Sequence, residues 1–193
     1  MTKLEPQQIL ELYRERLQTL NAHFYSSLPT EDSLLIKWWL TLSESGDLEK
    51  LITPQSRSLR QFLNLFSLPT TLIYALSPSN NEIIAASWLT PADNCATYRN
   101  AYCGFYTHPA HRLTKFNLTF TATTFSLAFE FYDFILGTTW QPKLLPIHTK
   151  LGYDIIGCVP KLYDEEFVYI VRLTKERFLQ SRLMTTFSKG VKK

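Results

Sequence analysis

The residues best suited to chemistry gather in residues 105–127 (FYTHPAHRLTKFNLTFTATTFSL), where a predicted strand passes through a turn into a predicted long helix. The first turn of a helix has backbone N–H groups without partners, and the helix dipole increases their attraction for an anion. Arg112 and Lys115 stand beside this turn, and both residue types bind phosphate through charge-assisted hydrogen bonds. If this junction is a phosphate-binding site, the chain is expected to be a transferase. If it is not, the sequence indicates little beyond a soluble α/β domain.

Two histidines in the same turn, His108 and His111, invite comparison with a metal site. They are three residues apart, but no cysteine or carboxylate is nearby, and structural zinc usually takes four ligands. Pro109 between them fixes the backbone φ angle before the helix. We therefore predict that these residues shape the loop and that the chain holds no metal. The sequence contains no nucleophile-elbow, Walker or dinucleotide-binding motif.

The composition predicts a folded, cytoplasmic protein. At 193 residues, with 45% hydrophobic and 19% charged side chains, the chain has enough apolar material for a packed core, which excludes a disordered protein. The three cysteines form no CxxC pair, and their odd number argues against a disulfide framework, so a reducing cytosol is expected. The N-terminus is too charged for a signal peptide, and no stretch approaches the roughly 18 apolar residues of a membrane span.

The charge balance is nearly even. The formal net charge is +3, from 20 basic and 17 acidic residues, and this excess is too small to predict nucleic-acid binding from the overall field. Basic residues do outnumber acids after Thr174. We interpret this end as a solvated extension, and a nucleic-acid contact is the alternative.

Helical spacing dominates the first third of the chain, and strand-like composition follows it. Apolar residues recur every three or four positions, and Trp38 and Trp39 give one helix a bulky apolar face that favours packing over chemistry. The predicted helices cover residues 5–22, about 29–46 and 48–52, with a short helix or irregular arm over 56–68. β-branched and aromatic runs then predict an antiparallel hairpin and a third strand. These strands cover residues 70–76, 82–89 and 98–107.

The rest of the chain predicts a strand–helix–strand crossover with parallel pairing. A helix is expected from Arg112 or Thr114 to Phe131, followed by a short apolar strand over residues 132–138. Gly152 stands where a glycine ends a helix. Around it we predict a helix over residues 143–151, strands over 153–159 and 166–173, and a terminal helix.

This order of elements, together with LGYDIIG at residues 151–157, resembles the GNAT family of acyl-CoA-dependent N-acyltransferases over about residues 68–174. In that family a KLGF or KLGY element closes the last conserved helix, and an acidic loop and a final hydrophobic strand follow. HTKLGYDIIG and FVYIVRLTKE are similar to that pair. The resemblance implies an α/β (α+β) fold with a mixed central sheet flanked by helices, and acetyl-CoA or another acyl-CoA as co-substrate.

The resemblance also implies where coenzyme A binds. The family's pyrophosphate loop has Arg or Gln, two variable residues, Gly, one variable residue, then Gly or Ala. Arg112 fits the first position, but Lys115 and Asn117 stand where small residues let backbone N–H groups approach the pyrophosphate. Either the two cationic side chains bind phosphate instead, or the cradle is inactive. The implied cofactor-binding residues are Phe105, Tyr106, Thr107, Arg112, Leu113, Thr114, Lys115 and Asn117.

The resemblance assigns two catalytic positions. His148 corresponds to the tyrosine that often protonates the leaving thiolate, and a histidine suits this role because its ordinary pKa is about 6.5. The alternative is a half-exposed histidine with no role in chemistry. A strand backbone N–H near Tyr106 would hold the thioester carbonyl. Glu82, Asp133 and Tyr106 are unspecific candidates for deprotonating the amine.

The leading hypothesis is therefore an acyltransferase that moves an acyl group from an acyl-CoA to an amine on an unknown acceptor. One alternative is a GNAT-shaped binding or scaffolding protein that has lost acetyl-CoA activity. Another is an offshoot, similar to phage-encoded members, that modifies nucleic-acid bases. We divide the chain into a helical N-terminal extension (1–67), the GNAT-like domain (68–174) and a C-terminal helix with a basic tail (175–193). The N-terminal helices are a candidate homo-oligomer contact, and no membrane association is expected.

Overall fold

The computed structural model describes residues 17–25, 32–67, 69–92, 98–160 and 167–185. Most of the helix predicted over residues 5–22 lies outside these ranges. So do the acidic loop at 161–166 and the end of the basic tail at 186–193. No helix in the described part of the chain is long and apolar enough to cross a membrane.

Seven strands form one mixed sheet with the order β1-β2-β3-β4-β5-β7-β6. The strands are β1 (Ala22–Tyr25), β2 (Thr71–Leu76), β3 (Ile83–Pro91), β4 (Asn100–Thr107), β5 (Phe134–Thr139), β6 (Asp154–Pro160) and β7 (Phe167–Thr174). β4 and β5 are parallel, whereas the other described pairs are antiparallel. The predicted hairpin is β2–β3, and the predicted crossover joins β4 to β5.

Helices flank the sheet in the described ranges. They include α1 (Asp32–Glu44), α2 (Leu48–Leu51), α3 (Leu59–Leu65), α4 (Lys115–Phe131), α5 (Leu145–Lys150) and α6 (Lys175–Gln180). Neighbouring residues of a strand point to opposite faces of a sheet. Tyr106 packs with α1 and α3, whereas Phe105 packs with α4. The helices α1–α3 therefore cover one face, and α4 covers the other.

The N-terminal segment contributes a strand that the sequence interpretation missed. The helix predicted up to residue 22 ends earlier, because Asn21 takes a left-handed conformation (φ 50°) that asparagine tolerates better than most residues. Its side-chain amide donates to the carbonyl oxygen of Leu76 over 2.9 Å, which starts the pairing of β1 with β2. Trp38 of α1 packs against Phe62 of α3 and against Tyr106 of β4, with ring centroids 5.5 and 5.6 Å apart. The boundary between residues 67 and 68 stays a prediction.

The helix α4 forms from a segment rich in threonine, a residue type that competes with helical hydrogen bonding. Here the hydroxyl groups bond back to carbonyl oxygens one turn earlier. Thr119 donates to Lys115 over 2.9 Å, and Thr121 donates to Asn117 over 2.8 Å. Thr114 caps the helix by accepting from the backbone N–H of Asn117. These hydroxyl groups are thus satisfied within the helix, and α4 can lie buried against the sheet.

The turn after α5 has the geometry of a Schellman motif. The N–H of Gly152 donates to Thr149, and the N–H of Tyr153 donates to His148, both over 3.0 Å. Gly152 has a φ of 98°, and a Cβ there would lie 2.6 Å from the backbone oxygen of Arg177. Both the backbone conformation and the lack of space require glycine, as the sequence predicted for this position.

Candidate functional site

The parallel strands β4 and β5 separate partway along their length. They pair over Asn100–Tyr102 and Phe134–Leu136, but β4 continues to Thr107 and β5 to Thr139. Between the diverging ends lies a cleft of about 440 Å³. Residues of α4 and α5 line it, and so do residues beside α2 on the opposite face of the sheet. The cleft therefore reaches both faces of the sheet.

Backbone groups of β4 point into this cleft. His108 N–H donates to the oxygen of Ile84, and the Asn100 oxygen accepts from Ala92 N–H, so the even-numbered residues of β4 bond to β3. The odd-numbered residues face β5 instead. Arg112 Nε donates to the carbonyl oxygen of Thr107 over 2.9 Å. The backbone N–H of Phe105 therefore points toward the cleft, because β5 no longer pairs with β4 at this residue.

Tyr106 lines the cleft, but its backbone N–H and its side chain both have other neighbours. Its own backbone N–H points to β3, so the donor expected near Tyr106 belongs to Phe105. Its side chain is 2% exposed in the aromatic core beside Trp38. Burial, with a further contribution from the Asp47 carboxylate, raises the pKa of Tyr106 to about 12. The phenol is therefore protonated at neutral pH, and its role as an amine base stays a prediction.

A carboxylate that the sequence interpretation did not consider lies at the rim of the cleft. Asp47, in the turn between α1 and α2, is 5% exposed. One of its oxygens, Oδ1, lies 2.9 Å from Lys50 Nζ, and the other, Oδ2, lies 3.4 Å from Arg112 Nη2. Asp47 and Arg112 are 65 residues apart, and only the topology brings them together. The guanidinium predicted to bind phosphate is thus also a partner of a buried carboxylate.

The predicted phosphate junction is compatible with the anionic part of coenzyme A. The helix α4 begins beside the cleft at Lys115, whose side chain is exposed. Asn117, which stands where the family has a small residue, accepts at Oδ1 from Thr107 Oγ1 over 2.8 Å. Its side chain is therefore held against the end of β4. Leu113, with a φ of 61°, is 91% exposed at the same edge. Arg112 and Lys115 are the side chains that would hold phosphate here.

His148 lines the cleft from α5. Its Nδ1 lies 2.9 Å from the carbonyl oxygen of Leu144, and its ring meets the ring of Tyr153 edge-on at 5.3 Å between centroids. Burial lowers the pKa of His148, and the Leu144 hydrogen bond offsets this only in part. The imidazole is therefore oriented by two neighbours and is neutral at neutral pH.

The structure collects most of the predicted site residues around one cleft. Those that line it are Phe105, Tyr106, Thr107, Arg112, Leu113, Asn117 and His148. Thr114 and Lys115 stand beside them at the start of α4.

Two candidates for the amine base lie apart from the cleft. Glu82 pairs with Lys37 at 3.5 Å beside a smaller cavity, and Asp133 accepts from the backbone N–H of Arg99 over 2.8 Å. Within the described ranges, no three His, Cys, Asp or Glu side chains gather as metal ligands.

Solved structures that match this fold include N-acetyltransferases. RimJ from Mycobacterium smegmatis, in complex with CoA-disulfide, is 13% identical with a TM-score of 0.60, covering 88% of this chain and 89% of that one. Spermidine N-acetyltransferase from Vibrio cholerae, in complex with CoA and spermine, is 13% identical with a TM-score of 0.59, covering 82% and 98%. A GCN5-related N-acetyltransferase from Kribbella flavida is 12% identical with a TM-score of 0.59, covering 80% and 98%.

These likenesses concern the fold. The chain has the α/β fold of the GNAT N-acetyltransferases, a mixed seven-stranded sheet flanked by helices, which confirms the predicted fold class. No protein-family model matches the sequence, and no curated protein matches it.

Proposed function

We propose that this protein transfers an acyl group from an acyl-CoA to an amine. The observation that carries the proposal is the divergence of β4 and β5, which opens a cleft of about 440 Å³ beside the N-terminus of α4. Such a cleft has room for an extended, mostly apolar chain, and the helix terminus favours an anion at its end. An acyl-CoA combines these two features in one molecule.

The cleft gives the two substrates separate approaches. On one face of the sheet it is lined by α4 and α5, with Arg112 and Lys115 available for the donor's phosphates. On the other face it is bordered by Asp47, Lys50 and Leu51. Gln141 Nε2 donates to the Lys50 oxygen over 3.4 Å, which joins this rim to the segment after β5. Donor and acceptor can thus meet within the sheet, as direct attack requires.

The backbone of β4 supplies the group that stabilises charge in the transition state. When the amine nitrogen attacks the thioester carbon, the carbonyl oxygen becomes negative. Phe105 N–H, fixed by the strand and directed toward the cleft, is placed to donate to that oxygen. A donor that is already oriented stabilises the developing charge without reorganising during the reaction.

A binding experiment tests the proposal. Isothermal titration calorimetry with acetyl-CoA should show binding, and acetyl-CoA with a panel of primary amines should release free thiol. Thr138→Trp places a large side chain at an exposed position that lines the cleft and should abolish binding. Ile156→Trp, at an exposed position of β6 outside the cleft, is the matched control and should bind normally. Absence of wild-type binding at millimolar acetyl-CoA would refute the proposal.

One observation favours the second candidate, a binding or scaffolding protein without acyl transfer. Arg112 is already engaged by the Thr107 carbonyl oxygen and by the Asp47 carboxylate, so its guanidinium also has a structural use. In that case Arg112→Ala would lower the stability of the fold, and neither it nor the wild type would bind acetyl-CoA. Under acyl transfer, the wild type binds and Arg112→Ala binds more weakly.

A further inference from the structure

The hydrogen bond at His148 determines which ring nitrogen is free. The Leu144 carbonyl oxygen, 2.9 Å from Nδ1, can only accept, so Nδ1 carries the proton. In the neutral ring Nε2 is then the unprotonated nitrogen. Because burial lowers the pKa of His148, this neutral form is the resting state at neutral pH. A resting imidazole of this kind accepts a proton before it can donate one.

Three other titratable side chains of the cleft keep their protons at neutral pH and so cannot accept one. Burial raises the pKa of Cys103 and of Tyr106 to about 12, and burial raises that of Tyr153 well above its ordinary value. The fourth group, Asp47, pairs through its two oxygens with Lys50 and Arg112 on the opposite face of the sheet from His148. The side chains that α4 contributes to the lining are not titratable; they are Asn117, Leu118, Thr121 and Phe125.

The segment that carries His148 has two lysines of its own, Lys143 and Lys150. Both are exposed, so solvent screens their charges from the half-buried ring of His148. Among the described residues that line the cleft, His148 is thus the group whose ordinary pKa is nearest neutrality and which is free to change its protonation state.

We infer that His148 is a proton relay, in which Nε2 takes the proton that the attacking amine loses and then passes it to the departing sulfur. This inference rests on the proposed acyl transfer. The neutral amine forms a bond to the acyl carbon, and the carbon–sulfur bond breaks. The proton moves from nitrogen to Nε2 and from Nε2 to the thiolate, which leaves as the thiol of coenzyme A. His148 returns to its neutral form, and no second acid or base is consumed.

Nuclear magnetic resonance of the full chain tests the resting state without requiring turnover. In protein labelled with ¹⁵N-histidine, the ring signals lost in His148→Gln identify this residue. The neutral ring should carry its proton on Nδ1 at pH 7, and its pKa should lie below the ordinary value of a histidine, because burial lowers it. A proton on Nε2, or an imidazolium at pH 7, would overturn the relay.

Kinetics with acetyl-CoA and a primary amine test the transfer itself. General acid–base catalysis by one side chain typically raises the rate about 100-fold or more. The turnover number of His148→Gln should therefore fall by that factor, while its affinity for acetyl-CoA stays normal. The acidic limb of the wild-type pH–rate profile should disappear with the histidine, and added imidazole should restore part of the rate of His148→Ala. His23→Gln is the control and should keep both rate and profile.

The outcomes separate the two proposals. If the wild type releases no thiol with any amine, acyl transfer fails and the relay fails with it. If the wild type is active and His148→Gln keeps its rate and its pH profile, acyl transfer stands and the relay is refuted.

Discussion

The C-terminus of α5 and the N-terminus of α4 both border the cleft. They differ in how far the sequence alone explains the residues found there. The C-terminus of α5 keeps the glycine of the family's Leu-Gly element, and the structure shows a local reason for it, since Gly152 has a φ of 98°. The N-terminus of α4 lacks the family's small residues. The polar side chains of Arg112, just before it, and Asn117, within it, are held by Asp47 and Thr107, which belong to other elements. A position fixed by backbone geometry can be recognised in a sequence, whereas one fixed by tertiary contacts cannot.

The largest expected effect tests the C-terminus of α5, where the backbone conformation of Gly152 requires glycine. Gly152→Ala puts a side chain into a left-handed conformation, which costs about 1–2 kcal/mol, and forces contact with the Arg177 oxygen, which adds about 1–3 kcal/mol. We therefore expect a loss of about 3 kcal/mol in the free energy of unfolding, measured by urea denaturation. Gly46 also has a positive φ, 66°, but nothing lies within 4 Å of an added Cβ. Gly46→Ala should cost only about 1 kcal/mol. Equal losses in the two variants would show that the close approach to Arg177 does not matter.

Sequence patterns predicted the fold well for the same reason. Runs of apolar, β-branched and aromatic residues located β2, β3, β4, β5 and β7, and helical periodicity located α1 and α4, because these signals depend on neighbouring residues. The strand β1 was missed because four residues, AHFY, carry little pattern and become a strand only by pairing with β2. At the site, Phe105 and Asn117 were named from the sequence, but the direction of the Phe105 N–H follows from the β3–β4 register. Asp47 gave no signal, because its partner Arg112 is distant in the chain.

The next largest effect tests the N-terminus of α4, where Arg112 is held by Asp47, a residue distant in the chain. Asp47→Asn removes the carboxylate that holds Arg112 and repels phosphate, so acetyl-CoA should bind more tightly. The Arg112 side chain is 49% exposed and its contact with Asp47 is 3.4 Å long, which limits the gain to about 1 kcal/mol, or roughly fivefold in Kd at low salt. Calorimetry measures this change. Glu49→Gln removes a nearby exposed carboxylate that does not line the cleft and should leave Kd unchanged. Weaker binding by Asp47→Asn would mean that Asp47 positions Arg112 for phosphate rather than competing with it.

The smallest effect concerns the residue that departs most from the family's loop. If Asn117 blocked the helix N-terminus, replacing it by alanine would restore a small residue and tighten acetyl-CoA binding. In the structure its Oδ1 accepts from Thr107 Oγ1 over 2.8 Å, so the side chain braces α4 against β4 instead. Asn117→Ala should therefore leave the Kd unchanged and lower the free energy of unfolding by about 1 kcal/mol, the usual contribution of one hydrogen bond. Thr107→Val removes the same bond from the other side and should match it. A double variant no less stable than either single one would show that both changes act through this bond, whereas tighter acetyl-CoA binding by Asn117→Ala would show that the family's small residue is needed here after all.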